Sequence, residues 1–272
     1  MNTNINKDTQ LCISLAGNPG NFGTRFHNFL YEKLALNYIY KAFTTTDIEA
    51  AVNGIRALGI RGCAVSMPFK ESCIPFLDQL DNSAKAIGSV NTIVNNNGCL
   101  HGYNTDYIAV VELLKKHQIP TETSFILQGS GGMAKAVTAA LRDSGFRRGH
   151  IVARNQSTGK TLAQHYNYQW QPEVGALTAE MLINATPMGM ATSTTATSLA
   201  FTELTMKNAQ TIFDVVANET PLLSYAGQHN KRIISGSEVI AIQAREQFAL
   251  YTGVRPSDLF VDQATAHAQK LA

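Results

Sequence analysis

Apolar positions along this chain come as short β-rich runs, and between the runs they recur at helical spacing. Leu11 to Ala16 reads as a strand, and the loop Gly17-Asn18-Pro19-Gly20-Asn21-Phe22-Gly23 then opens a helix from about Thr24 to Leu36. Tyr38 to Phe43 is a second strand. Thr46-Asp47-Ile48-Glu49 fits a capping box, and Ile48, Val52, Ile55 and Leu58 follow at helical spacing, so this helix buries one face before Gly59. Gly62 to Met67 returns as strand and stops at Pro68, which leaves Lys70 at the strand's end. Strand and helix in alternation predict an α/β domain with a largely parallel sheet, whose ligands lie beyond the carboxyl ends of the strands. Ser66 and Lys70 lie at such an end.

Val90 to Val94 and Leu100 to Tyr103 flank Asn95-Asn96-Asn97-Gly98, where Asn and Gly tolerate positive φ, so a β-hairpin is expected. Asp106 then opens a helix with Ile108, Val111 and Leu114 on one face. Lys115-Lys116 complements the helix dipole at its far end, and the linker near Ile119-Pro120 is a candidate boundary.

From Ser124 the pattern changes. The apolar strand Phe125-Ile126-Leu127 runs into Gly129-x-Gly131-x-x-Ala134 and a helix from Ala134 to Leu141, with Gly132 inside the turn. This is a dinucleotide-binding fingerprint: Gly129 permits the tight turn, Gly131 lets backbone amides approach a pyrophosphate, and Ala134 permits close helix packing. At the end of the next strand, His150 to Ala153, an NAD site places an Asp or Glu for the ribose hydroxyls. Here Arg154 and Asn155 stand instead, and residues 153–158 contain no carboxylate. A guanidinium holds a 2′-phosphate through paired, charge-assisted hydrogen bonds, so NADP is the expected cofactor.

Later strands at Met181 to Ala185, Thr211 to Val216 and Arg232 to Ile234 continue the domain, with a helix after Pro221. The turns that end them put Thr186, Val215 and Gly236 among the expected cofactor-binding positions. Helices from Glu238 to Tyr251 and from Ser257 to Ala272 follow and are expected to pack back on the first domain. The expected division is 1–104 plus 239–272 for the substrate domain and 105–238 for a Rossmann-type domain, with the site in the cleft between them.

Composition narrows the function classes. The chain has 272 residues, 44% of them hydrophobic, and 22 Lys and Arg stand against 20 Asp and Glu, for a net charge of +2. That balance implies no nucleic-acid surface, so small molecules are the expected partners. The start, Met1 to Gln10, is polar, and no run of about 18 apolar residues follows it, so a cytoplasmic location without membrane contact is expected. Cys12, Cys63, Cys73 and Cys99 form no C-x-x-C pair and read as reduced thiols. With no H-E-x-x-H among the seven histidines, no metal is assigned.

Five blocks in order carry a family likeness. They are Ser66-Met67-Pro68-Phe69-Lys70, Gly88-Ser89-Val90-Asn91-Thr92, Gly102-Tyr103-Asn104-Thr105-Asp106, Asn184-Ala185-Thr186-Pro187-Met188-Gly189-Met190, and Gln243-Ala244-Arg245-Glu246-Gln247-Phe248 with Tyr251-Thr252-Gly253. The chain resembles the shikimate dehydrogenase family over nearly its whole length. The resemblance implies reduction of 3-dehydroshikimate with NADPH, a catalytic Lys70 and Asp106, and Ser66, Asn91 and Gln243 hydrogen-bonding the ring hydroxyls of the substrate.

Two departures stand out. The family's Ser-x-Ser-Pro element, whose hydroxyls hold the substrate carboxylate, is replaced by Asn21-Phe22-Gly23-Thr24, and Ala217 occupies the position of a tyrosine typical of the family. Weak use of shikimate is therefore expected, with Asn21 and Gly23 still at the substrate. Quinate or a related cyclic hydroxy acid, and a non-enzymatic NADPH-binding sensor, are the alternatives. A methylenetetrahydrofolate dehydrogenase has a similar domain order, but the Asn91 and Asp106 blocks argue against it. Either a monomer or a homodimer fits the sequence.

Overall fold

The computed structural model describes residues 5–190 and 194–270, and the chain divides into two units. One unit runs up to Thr105 and resumes at Ala241; the other is Asp106–Ile240. Ile119-Pro120 lies inside the second unit, so the boundary expected there is corrected to the start of the preceding helix.

The first unit contains β1 (Gln10–Leu15), α1 (Phe22–Lys33), β2 (Tyr38–Phe43), α2 (Ile48–Ala57), β3 (Gly62–Val65), α3 (Phe69–Ser72), β4 (Gln79–Leu80), α4 (Asn82–Ile87), β5 (Thr92–Asn96) and β6 (Cys99–Tyr103). Its sheet has the order β2-β1-β3-β5-β6-β4. Strands β1, β2 and β3 pair in parallel, while β5 runs antiparallel to both β3 and β6. That reversal is the expected hairpin, turned at Asn97 (φ 53°) and Gly98 (φ 90°), the positive angles a two-residue turn needs.

Period-two alternation sorts this sheet's residues between two apolar layers. Ile13, Leu15, Cys63, Val65 and Ile93 join Val52 and Ile55 of α2 on one face. The intervening Cys12 and Val94 join Phe26, Leu30 and Tyr31 of α1 on the other. The second face also takes Phe248 and Tyr251 of α10 (Gly236–Thr252) and Val261 and Ala264 of α11 (Asp258–Gln269), so the late helices do return to the first unit. Residues 271–272 of that last expected helix, like residues 1–4 of the polar start, lie outside the described residues.

α5 (Thr105–Lys116) leads into the second unit. There follow β7 (Phe125–Gln128), α6 (Gly132–Asp143), β8 (Gly149–Val152), α7 (Gln156–His165), β9 (Gln169–Gln171), β10 (Met181–Asn184), α8 (Glu203–Asn208), β11 (Thr211–Asp214), α9 (Pro221–Gln228) and β12 (Arg232–Ser235). Every strand pair is parallel, in the order β12-β11-β10-β7-β8-β9. Strand order reverses between β7 and β10, the crevice at which such sheets bind ligands.

Three local expectations change. The cap of α2 is Asp47, whose Oδ1 accepts from the Ala50 N–H at 2.9 Å, rather than Thr46. Thr45 Oγ1 in turn accepts from the Asp47 N–H at 3.0 Å, so the chain enters the helix one residue later than a capping box requires. On α5 the fully buried residues are Ala109, Val110 and Leu113, with Leu114 at 3% exposure, whereas Ile108 and Val111 are half-buried. Lys70 sits on the one-turn helix α3 rather than at the end of β3, because pairing stops at Val65, three residues before Pro68 removes a donor.

The four cysteines are free, and burial pushes the Cys12 and Cys73 thiols up to about 12, so neither is a ready nucleophile. His27 is fully buried, its ring stacked on Tyr40 at 4.5 Å and 7°. Burial lowers its pKa to about 3, which the neighbouring Gln247 carboxamide offsets only in part. Unfolding lets this ring take up a proton below its ordinary value of about 6.5, so its contribution to stability is whole above that pH and is lost as pH falls toward 3. Between pH 7 and pH 5 the loss through His27 alone is about 2 kcal/mol. Urea unfolding at both pH values should show that difference shrink by this amount in His27→Phe; an unchanged difference would mean the ring titrates normally.

Candidate functional site

In the first unit the site is built around one carboxamide. Asn91 is fully buried, and its Oδ1 accepts from the Thr105 N–H at 2.8 Å, the Thr92 hydroxyl at 2.9 Å and the Thr105 hydroxyl at 3.2 Å. A backbone N–H can only donate, so these bonds fix which end of the carboxamide is oxygen. Its Nδ2 is then left buried with no partner among the described residues. Buried donors in that condition are rare, and a ligand oxygen is one group that satisfies them.

The backbone places other expected residues around Asn91. The Val90 N–H donates to the Lys70 carbonyl at 2.8 Å, and the Val65 N–H donates to the Asn91 carbonyl at 2.8 Å. Ser66 follows directly, exposed, its own N–H donating to the Leu15 carbonyl at 2.9 Å and its hydroxyl unpaired among the described residues. Asp106, at 2% exposure, comes directly after Thr105 in the first turn of α5.

Gln243 is half-buried, and its side chain makes no hydrogen bond among the described residues. One turn later on the same face of α10, Gln247 is buried and donates through Nε2 to the Thr92 hydroxyl at 3.0 Å and the Asn91 carbonyl at 3.3 Å. Gln247 is the supporting residue that sequence reasoning missed, although its spacing of four from Gln243 was visible.

Asn21 is exposed and precedes α1 without a side-chain cap bond. A Cβ on Gly23 would lie 3.2 Å from the Tyr40 hydroxyl, so that glycine leaves room that the tyrosine partly fills.

In the second unit the expected residues line up across the sheet. Gln128, Asn184, Asp214 and Ser235 are register partners at the carboxyl ends of β7, β10, β11 and β12. Gly129, Val215 and Gly236 are the next residues on their strands, and Thr186 lies one further on. At Gly129 φ is 129°, and a Cβ would come within 2.7 Å of the Ala185 carbonyl oxygen, so the crevice itself demands glycine. Ala134 is fully buried beneath it, 3.5 Å from where that Cβ would be.

A buried polar network holds this edge. Asp214 Oδ1 accepts from Asn184 Nδ2 at 3.0 Å and the Val216 N–H at 3.1 Å, and its Oδ2 accepts from the Thr220 hydroxyl at 2.7 Å. Burial raises the Asp214 pKa, and these three donors pull it back. Thr186 is tied in through its hydroxyl, which donates to Asn184 Oδ1 at 2.6 Å.

Gly131 precedes the first turn of α6, where Gly132 begins, with no side-chain cap, and a Cβ there would meet nothing within 4 Å. The open amides suit a pyrophosphate, so the turn fits the dinucleotide expected of it. Arg154 and Asn155 are exposed after β8. Asn155 Oδ1 caps α7 by accepting from the Thr158 N–H at 3.1 Å, and the Arg154 guanidinium has no partner among the described residues. Among the described residues there is no group of three His, Cys, Asp or Glu placed to hold a metal, and no helix long and apolar enough to cross a membrane.

The chain is similar to several known proteins. Residues 22–93 match the shikimate dehydrogenase substrate binding domain. A shikimate dehydrogenase-like protein of Haemophilus influenzae is 56% identical over 97% of this chain and 98% of its own length. The NADP(+) shikimate dehydrogenase of Caldanaerobacter subterraneus is 32% identical over 90% of this chain and 92% of its own. The Thermus thermophilus shikimate 5-dehydrogenase, solved with NADP(H) and shikimate, superposes with a TM-score of 0.82 at 27% identity, covering 95% of this chain and 100% of that one. The chain belongs to the shikimate dehydrogenase family.

Of the positions where departures from the family are expected, Asn21 is exposed, Gly23 is half-buried beside Tyr40 and Ala217 is half-buried. A contrast between two glycines tests the second unit. In Gly236→Ala the new Cβ would fall within 2.5 Å of both the Val215 and Val216 carbonyl oxygens. Thermal melting should show that variant destabilised by about 1–3 kcal/mol or more. Gly131→Val should melt with the native chain yet bind dinucleotide more weakly, and a fall in its melting temperature would contradict the open space above the turn.

Proposed function

We propose that this chain is a cytoplasmic NADP-dependent oxidoreductase of the shikimate dehydrogenase type, interconverting 3-dehydroshikimate and shikimate with reduced efficiency. The observation that carries this reading is the unpartnered Asn91 Nδ2, held by its fixed oxygen beside the Lys70 backbone and one residue from Thr92. A ring hydroxyl accepts from it. The Ser66 hydroxyl and the Gln243 carboxamide supply further contacts to hydroxyls of the same ring.

NADP, when bound, supplies the hydride acceptor that turns the alcohol into a ketone. The oxygen of that alcohol must lose its proton as hydride leaves its carbon, and the Lys70 amine takes it; in the reverse direction the ammonium returns it. Asp106 orients the reacting hydroxyl, contributing position rather than a second proton path. Gly129, Gly131, Gly132 and Ala134 hold the pyrophosphate at the start of α6. Arg154 and Asn155 meet the adenosine ribose and its phosphate, while Thr186, Val215 and Gly236 border the nicotinamide.

The reduced efficiency follows from Gly23. A hydrogen bond to a charged ligand group contributes about 1.5–3 kcal/mol, and its loss weakens binding roughly ten- to a hundredfold. The room at Gly23 equally favours a related cyclic hydroxy acid, quinate among them, as a second reading.

Two experiments decide. With NADP+ and shikimate, the native chain should produce reduced cofactor by absorbance, and Lys70→Ala should lower kcat about a hundredfold or more with little change in shikimate binding. Asn21→Ser/Gly23→Ser should be held back by crowding at the Tyr40 hydroxyl, and adding Tyr40→Phe should raise kcat/KM for shikimate about tenfold or more over the native chain. A triple variant that gains on quinate but not on shikimate would support the second reading. NADPH binding without turnover of any cyclic hydroxy acid would overturn both.

A further inference from the structure

α5 carries Asp106 in its first turn and ends at Lys116, with His117 directly after it. Both residues at that far end reach one carboxylate. Lys116 Nζ donates to Glu238 Oε1 at 2.8 Å, and His117 Nε2 donates to the same oxygen at 3.1 Å. An ionised carboxylate only accepts, so Nε2 is a ring nitrogen that carries hydrogen. The His117 and Glu238 side chains are 19% and 27% exposed against 60% for Lys116, so the imidazole is the better-shielded partner.

The other oxygen of Glu238 turns to the start of its own helix. Oε2 accepts from the Ser235 N–H at 3.1 Å and from the Ser235 hydroxyl at 3.3 Å, while Ser235 Oγ accepts from the Glu238 N–H at 3.4 Å. These bonds make a capping box at the start of α10. Gly236 stands inside the box. Ser235 is the register partner of Asp214, and a Cβ on Gly236 would collide with the Val215 and Val216 carbonyls, so this glycine is wedged against the end of β11.

A capping box closes with one carboxylate oxygen, and here the second is given to α5. Burial works to raise the Glu238 pKa, but Lys116, the Ser235 N–H and His117 outweigh it and hold the carboxyl below its usual range. All of these residues belong to the second unit. One carboxylate thus joins the helix that begins at Asp106 to the turn at Gly236, and α5 is a spacer of about 15 Å between Asp106 and Lys116.

We propose that Glu238 is a positioning residue for the cofactor's nicotinamide: its carboxylate, held by His117 and Lys116, fixes the Ser235–Gly236 backbone relative to the helix that carries Asp106. The inference rests on the NADP reading above, with Gly236 at the nicotinamide, and adds Glu238, Lys116 and His117 to it. Hydride leaves the carbon whose hydroxyl Asp106 orients, so ring and carboxylate must keep one relative placement, and a small displacement of either costs rate.

Calorimetric titration of the full chain with NADPH and with 2′,5′-ADP, which lacks the nicotinamide half, tests this. Glu238→Ala should lose about fivefold or more in affinity for NADPH while 2′,5′-ADP binding stays within about twofold. Lys116→Gln/His117→Gln leaves the capping box intact and should still weaken NADPH about threefold or more, again with 2′,5′-ADP unmoved. Native NADPH affinity in either variant, or a loss shared equally by the two nucleotides, would leave Glu238 a helix cap and overturns the proposal. Should Glu238→Ala melt below the temperature of the titration, the double variant decides alone. A native chain that binds NADPH no more tightly than 2′,5′-ADP overturns the placement of nicotinamide at Gly236 and the proposal with it, whereas one that binds neither nucleotide sinks the NADP reading itself.

Discussion

The Asn91 carboxamide oxygen is the point on which the first unit's site depends. It accepts three donors from two residues, and one of those residues, Thr105, begins α5. The start of β5 and the start of a helix twelve residues long are thereby fixed to the same atom. Thr92 extends the tie, because its hydroxyl donates to Asn91 and accepts from Gln247 of α10. Leaving any one of these buried groups unpaired costs about 1–3 kcal/mol, so the arrangement holds its geometry before a ligand arrives. Lys70 shares in that order through its carbonyl, which accepts from the residue preceding Asn91.

The second unit reaches the same end by another route. Its strands are only three or four residues long, and register alone brings their carboxyl ends level. Level ends would still splay without a brace, and Asp214 supplies it by accepting from Asn184, Val216 and Thr220. A buried carboxylate is costly unless it is fully hydrogen-bonded, as here, where the donors work against burial's upward push on its pKa. Both units thus rely on one buried acceptor that gathers donors from separate elements.

Sequence made the long features legible and the short ones obscure. Strands such as Tyr38–Phe43 and the glycine turn after Phe125–Gln128 announce themselves by apolar runs bounded by turn residues. α7 escaped because its sequence QSTGKTLAQH is mostly polar and buries only Gly159, Leu162 and Ala163. There the Trp170 ring covers the helix so closely that a Cβ on Gly159 would collide with its Nε1, so what marks the face is an absent side chain. The four-residue α3 and the two-residue β4 each span about one period, too little for a repeat to show, and α4 is a single short stretch capped by Asp81. The phase of α5 differs from expectation: Ile108 and Val111 are half-buried, while Ala109, Val110 and Leu113 are fully covered. For the site, the paired blocks named Asn91 and Lys70, but only coordinates could show that one end of the Asn91 carboxamide is saturated and the other bare.

That asymmetry bears on the positions where the chain is expected to depart from its family. Asn91, Thr92, Thr105 and Gln247 are buried and mutually bonded, so replacing any one of them orphans another. Asn21 is exposed and its side chain bonds to nothing among the described residues, and the atoms nearest a Cβ on Gly23 belong to Tyr40, so a change there strands no buried partner among them. Stability therefore resists drift around Asn91 and permits it around Asn21 and Gly23. Tyr40 sharpens the point: its ring stacks on His27 and its hydroxyl reaches the space beside Gly23, so the core has already taken up part of what a side chain at that position would occupy. On the proposed function, substrate choice can shift in such a chain while the surroundings of Asn91 keep their geometry, because the bonds that hold Asn91 do not involve Asn21 or Gly23.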